Sequence, residues 1–227
     1  MKAVVLVSGG MDSATLLHLV HKRLGADDIH ALSYHYGQRH GRELQMAEWQ
    51  CKHLPAVTRW VPVDISFYGH MAAGATVLSD EGAPVPRLDE IPADQLDQPC
   101  TYVPNRNMIL LSLAVGYAES VGARTVYYGA QAQDEYGYWD CTAEFVARMN
   151  QVLALNRRDG VRIEAPFAAV RKADELRLGL TMGVDYAHTW TCYRGEALAC
   201  GVCPSCVERL KAFAEVGIPD PVPYAAS

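Results

Sequence analysis

An unbroken apolar run, Val4-Val5-Leu6-Val7, predicts a short strand buried on both faces. From Ala14 to Val20 the apolar residues Leu16, Leu17, Leu19 and Val20 fall at helical spacing, so a helix follows after a brief polar turn. Ile29–Tyr34 reads as a second strand, and Gly41–His53 as a helix with Leu44, Ala47 and Cys51 at i, i+3 and i+7. A third strand is expected at Thr58–Val63, an apolar helix at Met108–Val121 and a fourth strand at Thr125–Gly129. Thr142–Asn156 predicts a helix, 162–166 an extended stretch, Lys172 a helix start and Ser205–Val216 a last helix. Strand and helix alternate throughout, which argues for a doubly wound, mostly parallel α/β sheet.

One stretch breaks the pattern. Ser66–Pro104 holds Pro84, Pro86, Pro92, Pro99 and Pro104 with little periodicity, and a loop this long suits a lid over a ligand site. Asn105 or Asn107 can cap the helix that follows. The expected organisation is a main domain over 1–187 carrying this insertion, and a C-terminal segment over 188–227 packed on it.

The candidate chemistry begins in the turn after the first strand, Ser8-Gly9-Gly10-Met11-Asp12-Ser13. Strand, glycine turn and helix start together build an anion site from backbone N–H groups and a helix dipole. Gly9 and Gly10 permit positive φ and close approach of a phosphate, Ser8 and Ser13 add hydroxyls, and Asp12 can hold Mg²⁺, a ribose or water. A Walker A loop would need a lysine here, and a dinucleotide fingerprint a third glycine. Tyr36-Gly37-Gln38-Arg39-His40 occupies the carboxyl end of the second strand, an edge where open sheets bind ligands. The loop 130–140 offers Gln131, Gln133, Asp134, Tyr136, Tyr138, Trp139 and Asp140, which suit a planar base recognised by edge hydrogen bonds and stacking.

Cys192, Cys200, Cys203 and Cys206 form C-x7-C-x2-C-x2-C, with Gly201 and Pro204 providing turns. Such a knuckle predicts one structural, tetrahedral Zn²⁺, with an iron–sulfur cluster as the competing occupant. Seven cysteines in this arrangement suggest reduced thiols and a cytoplasmic protein. Cys51 reads as core, while Cys141, at a predicted helix start, is a candidate nucleophile. Net charge of −6 and a pI near 5.7 argue against a duplex nucleic-acid partner. No apolar run approaches the ~20 residues of a membrane span.

Ser-Gly-Gly-x-Asp-Ser resembles the PP-loop of the N-type ATP pyrophosphatases, which cut ATP between the α and β phosphates and adenylate a substrate. Further markers extend the likeness. They are Tyr36–His40, Val103-Pro104-Asn105-Arg106-Asn107, Gly137-Tyr138-Trp139-Asp140-Cys141 with Glu144-Phe145, Glu164-Ala165-Pro166, Thr189-Trp190-Thr191-Cys192-Tyr193 and the remaining cysteines. In this order, from about residue 3 to about residue 213, they resemble the 7-cyano-7-deazaguanine synthase (QueC) family.

The resemblance implies an adenine nucleotide alpha hydrolase-like fold and conversion of 7-carboxy-7-deazaguanine with ammonia and ATP to a nitrile. Adenylation turns a poor oxide leaving group into AMP, first for amide formation and then for dehydration. Mg²⁺ would accompany ATP, and family members are often homodimers. Ser8, Gly9, Gly10, Met11, Asp12 and Ser13 are then expected on ATP. Asp12, Arg106, Lys172 and Asp140 are expected to be catalytic, and Arg39, Gln133, Asp134, Tyr138 and Asp140 to hold substrate, with His40 beside the nucleotide; Asp134 and Asp140 are expected either to accept from the guanine-like N–H edge or to help deprotonate ammonium. The family's Gly-Tyr-Pro-Asp-Cys-Arg appears here with Trp139 for proline and Thr142 for arginine, and its Leu-Arg after the last cysteine as Glu208-Arg209. The alternatives are a PP-loop tRNA thiolase using Cys141, a related ligase acting on another carboxylate, and a nucleotide sensor without turnover.

Overall fold

The computed structural model describes residues 1–38, 41–78, 84–91, 100–131, 138–157, 160–194 and 197–225. Five parallel strands form one sheet: β1 (Lys2–Leu6), β2 (Asp28–His35), β3 (Val57–Asp64), β4 (Thr125–Tyr127) and β5 (Arg162–Glu164), in the order β3-β2-β1-β4-β5. The chain winds outward from β1 to β3, then returns to place β4 on the other side of β1. Strand order therefore reverses between β1 and β4, the place where open α/β sheets receive ligands.

The helices are α1 (Met11–Lys22), α2 (Arg42–His53), α3 (Ser66–Ala72), α4 (Arg106–Val121), α5 (Ala143–Leu153), α6 (Lys172–Thr181) and α7 (Pro204–Val216). They cover both faces of the sheet. Ala3, Val5 and Val7 pack with Leu16, Leu17 and Val20 of α1 and Ala47 and Cys51 of α2. Val4 faces the other way, into a cluster with Leu111, Ala114 and Ala118 of α4 and Phe145 of α5. Successive strand residues alternate faces, so covering both sides demands the continuous apolar run seen in the sequence. Each fully buried leucine in these layers contributes roughly 1.5–3 kcal/mol. At the sheet edge, β3 tolerates Pro62 because its outer side needs no ladder hydrogen bond.

Local chemistry sets the helix starts. Helix α1 begins at Met11 with Gly10 as the N-cap, ahead of the expected Ala14. Helix α4 begins at Arg106 on Asn105, whose φ of 54° is left-handed, and neither Asn105 nor Asn107 caps it through its side chain as expected. Instead the Asp140 carboxylate accepts the Asn107 N–H at 3.3 Å. Helix α5 is capped by Thr142, whose Oγ1 accepts the Phe145 N–H at 3.1 Å.

The expected lid takes a different position wherever 66–104 is described. Tyr68, Ala72, Leu78, Val85 and Val103 form a hydrophobic cluster with Trp190, Ala199, Val222 and three of the C-terminal cysteines. Leu88 N–H also donates to Val202 O at 3.1 Å. The described part of the insertion thus supports the cysteine segment. The cysteine segment continues into α7, which packs against α6.

Candidate active site at the strand-order reversal

The carboxyl ends of β1 and β4 open onto a cavity of about 270 Å³. Val7, Ser8, Gly10, Asp12 and Ser13 line it on the β1 side, and Tyr128, Gly129 and Ala130 on the β4 side. Arg106 and Asn107 of α4, Lys172 of α6, Glu208 of α7 and Glu43 of α2 also reach it. No described residue of 66–104 lines this cavity.

The phosphate loop is held in shape by its own serines. Ser8 Oγ donates to Ser13 Oγ at 3.1 Å, which also accepts the Gly9 N–H at 3.1 Å and donates to the Gly10 carbonyl at 3.0 Å. Gly9 alone of the two glycines is left-handed, with φ 91°, whereas Gly10 has φ −74°. Close packing explains Gly9: a Cβ there would stand 2.0 Å from Glu43 O and 2.8 Å from Ala47 N. The loop therefore lies directly against the first turns of α2. Met11 is 1% exposed and packs among Ala14, Leu176 and Phe213. Its side chain belongs to the core, and only its backbone faces the loop.

A charged group sits beside this loop. Lys172 Nζ lies 3.2 Å from Asp12 Oδ2 and 3.7 Å from Glu208 Oε2. Behind Asp12, fully buried Glu175 accepts from Gln131 Nε2. Burial, and then the neighbouring Asp12 charge, raise the Glu175 pKa well above the carboxylate range. Asp12 Oδ1 is buried beside Glu175, whose raised pKa favours a protonated carboxyl that donates to Asp12. A hard carboxylate beside a phosphate loop fits a Mg²⁺ ligand.

Elsewhere in the cavity, Arg106 Nη1 donates to Tyr36 OH at 3.1 Å, and its guanidinium lies 5.4 Å from the Tyr36 ring centre. Glu43 also lines the cavity, and its pKa is raised to about 7. Burial is the main cause; Arg106 opposes it and the Cys192 side chain adds to it. Cys141 lines the cavity as well, its Sγ accepting from Asn107 Nδ2 at 3.4 Å.

Several expected site residues lie elsewhere. Asp140 is 3% exposed, does not line the cavity, and its carboxylate accepts the Asn107 N–H at the start of α4. Tyr138 OH shares a 2.5 Å hydrogen bond with Thr101 Oγ1. Arg39, His40, Gln133, Asp134 and Tyr136 lie outside the described residues. Trp139 and Thr142, the departures from the family motif, are not among the lining residues: Trp139 packs edge-on against Phe145 and donates to Tyr102 OH at 3.0 Å. The departure at Glu208 does face the cavity. Glu43, Trp190, Thr191, Tyr193 and Ser205 also line the cavity, with no role expected of them from the sequence. The Thr189–Tyr193 motif is the signal in the sequence that points to three of these.

The four C-terminal cysteines converge as expected. Their sulfurs all lie within 4.8 Å of one another, with Cys200 and Cys206 4.0 Å apart. Tetrahedral bonds of about 2.3 Å to one ion put sulfurs roughly 3.8 Å apart, so this group can hold a single metal ion. A multi-iron cluster distributes its thiolates over separate irons and needs a wider cage. Backbone N–H groups of Cys200 and Cys203 point at Cys192 Sγ and Cys200 Sγ, at 3.4 and 3.3 Å, and would stabilise bound thiolates. The knuckle touches the phosphate loop: Trp190 N–H donates to Gly9 O at 2.8 Å.

Comparison with known proteins agrees with this geometry. A 7-cyano-7-deazaguanine synthase of Chromohalobacter salexigens is 47% identical over 226 residues, covering 100% of this chain and 87% of the relative. Its counterpart in Marinobacter nauticus is 48% identical over 221 residues, 97% of this chain and 96% of that protein. Among solved structures, an NMN synthetase from Francisella tularensis superposes with a TM-score of 0.51 at 15% identity, over 96% of this chain and 77% of that one. At that identity the likeness concerns the fold. The family model described as queuosine biosynthesis protein QueC matches residues 2–217, and the chain belongs to that family.

Proposed function

We propose that the cavity converts 7-carboxy-7-deazaguanine, ammonia and ATP into 7-cyano-7-deazaguanine, as a carbon–nitrogen ligase releasing AMP and pyrophosphate. The observation that carries this reading is one cavity holding both the Ser8–Ser13 loop with Lys172 and a second polar group around Arg106. An adenylating enzyme needs that juxtaposition, because the carboxylate must attack the α-phosphate while the pyrophosphate is held.

Ser8, Gly10 and Ser13 offer donors to the pyrophosphate, preorganised by the hydrogen bonds within the loop. Lys172 contributes a positive charge as the β and γ phosphates become the leaving group. Asp12 would hold Mg²⁺, which neutralises phosphate charge when bound. Arg106 is the cation placed for a planar carboxylate or the α-phosphate. The same groups serve both rounds, since each activates an oxygen as AMP. Cys192, Cys200, Cys203 and Cys206 would hold structural Zn²⁺ and stabilise the C-terminal segment by the free energy of binding.

Trp139 and Thr142 are structural in their contacts, so their departure from the family motif leaves the lining of the cavity intact. The seven cysteines are thiols outside any disulfide, which supports a cytoplasmic setting; free ammonium is the nitrogen donor, and the family resemblance supports a homodimer. The test is to incubate the protein with Mg²⁺, ATP, ammonium and 7-carboxy-7-deazaguanine and follow products by mass spectrometry. Nitrile, AMP and pyrophosphate are expected. AMP without nitrile would assign another carboxylate substrate, and no AMP would overturn the reading.

A further inference from the structure

The amination step needs a base. Ammonium carries no lone pair, so before nitrogen attacks the acyl adenylate one proton must leave it. The base must line the cavity and be free of the phosphate cation and its metal.

The described carboxylates sort themselves on these criteria. Asp12 and Glu208 flank Lys172. Glu175 is sealed behind Asp12 at 0% exposure. Asp140 is turned to the start of α4 and does not line the cavity. Glu43 is the lining carboxylate that remains. It makes no hydrogen bond or ion pair among the described residues, and the cation it senses is Arg106. Its backbone is registered against the phosphate loop, since the bare Cα of Gly9 packs on the Glu43 carbonyl. The turn carrying this carboxylate is thus fixed relative to the place where the adenylate forms.

We propose that Glu43 is a catalytic residue of the amination step, binding ammonium in the cavity and accepting the proton that frees its lone pair. This rests on the proposed nitrile synthesis. One ammonium proton passes to the Glu43 carboxylate and the nitrogen lone pair forms the C–N bond. The bond from carbonyl carbon to the adenylate oxygen then breaks, and its electron pair leaves with AMP. A second nitrogen proton departs to water, and Glu43 returns its own proton to solvent. A desolvated carboxylate suits the task, because a base held near the working pH is both available and strong enough.

The test compares wild type with Glu43→Gln in two assays. The first measures pyrophosphate released in a single turnover without any amine, which reports adenylation alone. The second measures turnover with ammonium and with hydroxylamine, whose nitrogen is already a free base at neutral pH. Glu43→Gln should adenylate like wild type, lose on the order of 10²–10³-fold with ammonium, and keep its turnover with hydroxylamine. Glu43→Asp should recover part of the ammonium reaction, which a defect in folding would not permit. Equal losses with both amines, loss of adenylation, or unchanged ammonium turnover would each overturn the assignment. Wild type making no nitrile at all would instead overturn the proposed function.

Discussion

Replacing Arg209 with methionine should destabilise the protein more than any surface change, and the structure says by how much. Arg209 and Asp220 side chains are each 2% exposed and pair at 2.7 Å through Nε–Oδ2 and 2.9 Å through Nη2–Oδ1. Arg209 also donates to Thr189 Oγ1, Thr191 Oγ1 and Tyr186 O at 2.7, 3.2 and 3.1 Å. Methionine fills much of the same volume, so little is lost in packing. What remains is a buried carboxylate without its counter-charge, held among the described residues by Val222 N–H at 3.0 Å and Tyr224 OH at 2.6 Å. Removing one partner of such a pair costs about 3–5 kcal/mol. At roughly 2–4 °C per kcal/mol for a chain of this size, Tm should fall by about 6–20 °C. Adding Asp220→Asn removes the stranded charge, so the double variant should be more stable than Arg209→Met alone. Urea unfolding of the metal-loaded protein, read by circular dichroism, measures all corners of the cycle. A loss below about 1 kcal/mol, or strictly additive single and double variants, would refute the reasoning.

Other outcomes follow from the same geometry. Gly9→Ala meets both a left-handed φ and a Cβ position 2.0 Å from Glu43 O; it should cost at least about 1–3 kcal/mol and weaken ATP binding by calorimetry. Lys172→Ala should reduce pyrophosphate release by on the order of 10²-fold or more, while thermal melting shifts little by comparison. Stripping metal with a chelator should lower Tm and expose Cys192, Cys200, Cys203 and Cys206 to a thiol reagent, and adding Zn²⁺ back should reverse both. His18 is 8% exposed, and burial, followed by nearby Lys22, lowers its pKa below the ordinary 6.5. The unfolded chain then binds the proton more readily, so this residue makes stability fall as pH drops below about 6.5. His18→Leu should flatten that part of the stability–pH curve measured by urea midpoint.

The sheet was legible because its physics is local. A run buried on both faces is apolar without alternation, and Val4–Val7 looks like nothing else. The phosphate loop was legible for a related reason: two glycines between serines, after a strand and before a helix, have few other uses. The cap of α4 was not legible. Asn105 and Asn107 are good caps by composition, yet the group that accepts the Asn107 N–H is Asp140, which only the fold brings there. That same contact occupies the Asp140 carboxylate, which its motif placed among the ligand-facing residues. Glu43 was hidden differently. An acidic residue in the first turn of a helix reads as a complement to the dipole, and nothing nearby in sequence reveals that Gly9 and Arg106 meet it. Glu208 needed the packing of α7 on α6 before its carboxylate could be placed near Lys172.

Gly9 and Trp190 connect two features that look independent along the chain. The segment Thr189–Tyr193 supplies Cys192 to the metal-binding knuckle, lines the cavity through Trp190, Thr191 and Tyr193, and binds the phosphate loop through Trp190 N–H. Arg209, on the helix that begins at the knuckle, holds Thr189 and Thr191 from the other side. A metal at the four cysteines would therefore fix one end of a short, extended strap whose middle is a wall of the active site. The strap belongs to no strand of the sheet, so its rigidity comes from the knuckle, from Arg209, from the contact with Gly9 and from the packing of Trp190 with Tyr68, Val103 and the Arg42 guanidinium. Loss of any one of these anchors should leave the five-stranded sheet intact and loosen the phosphate loop first. That ordering separates a structural metal with catalytic consequences from one that merely keeps the chain folded.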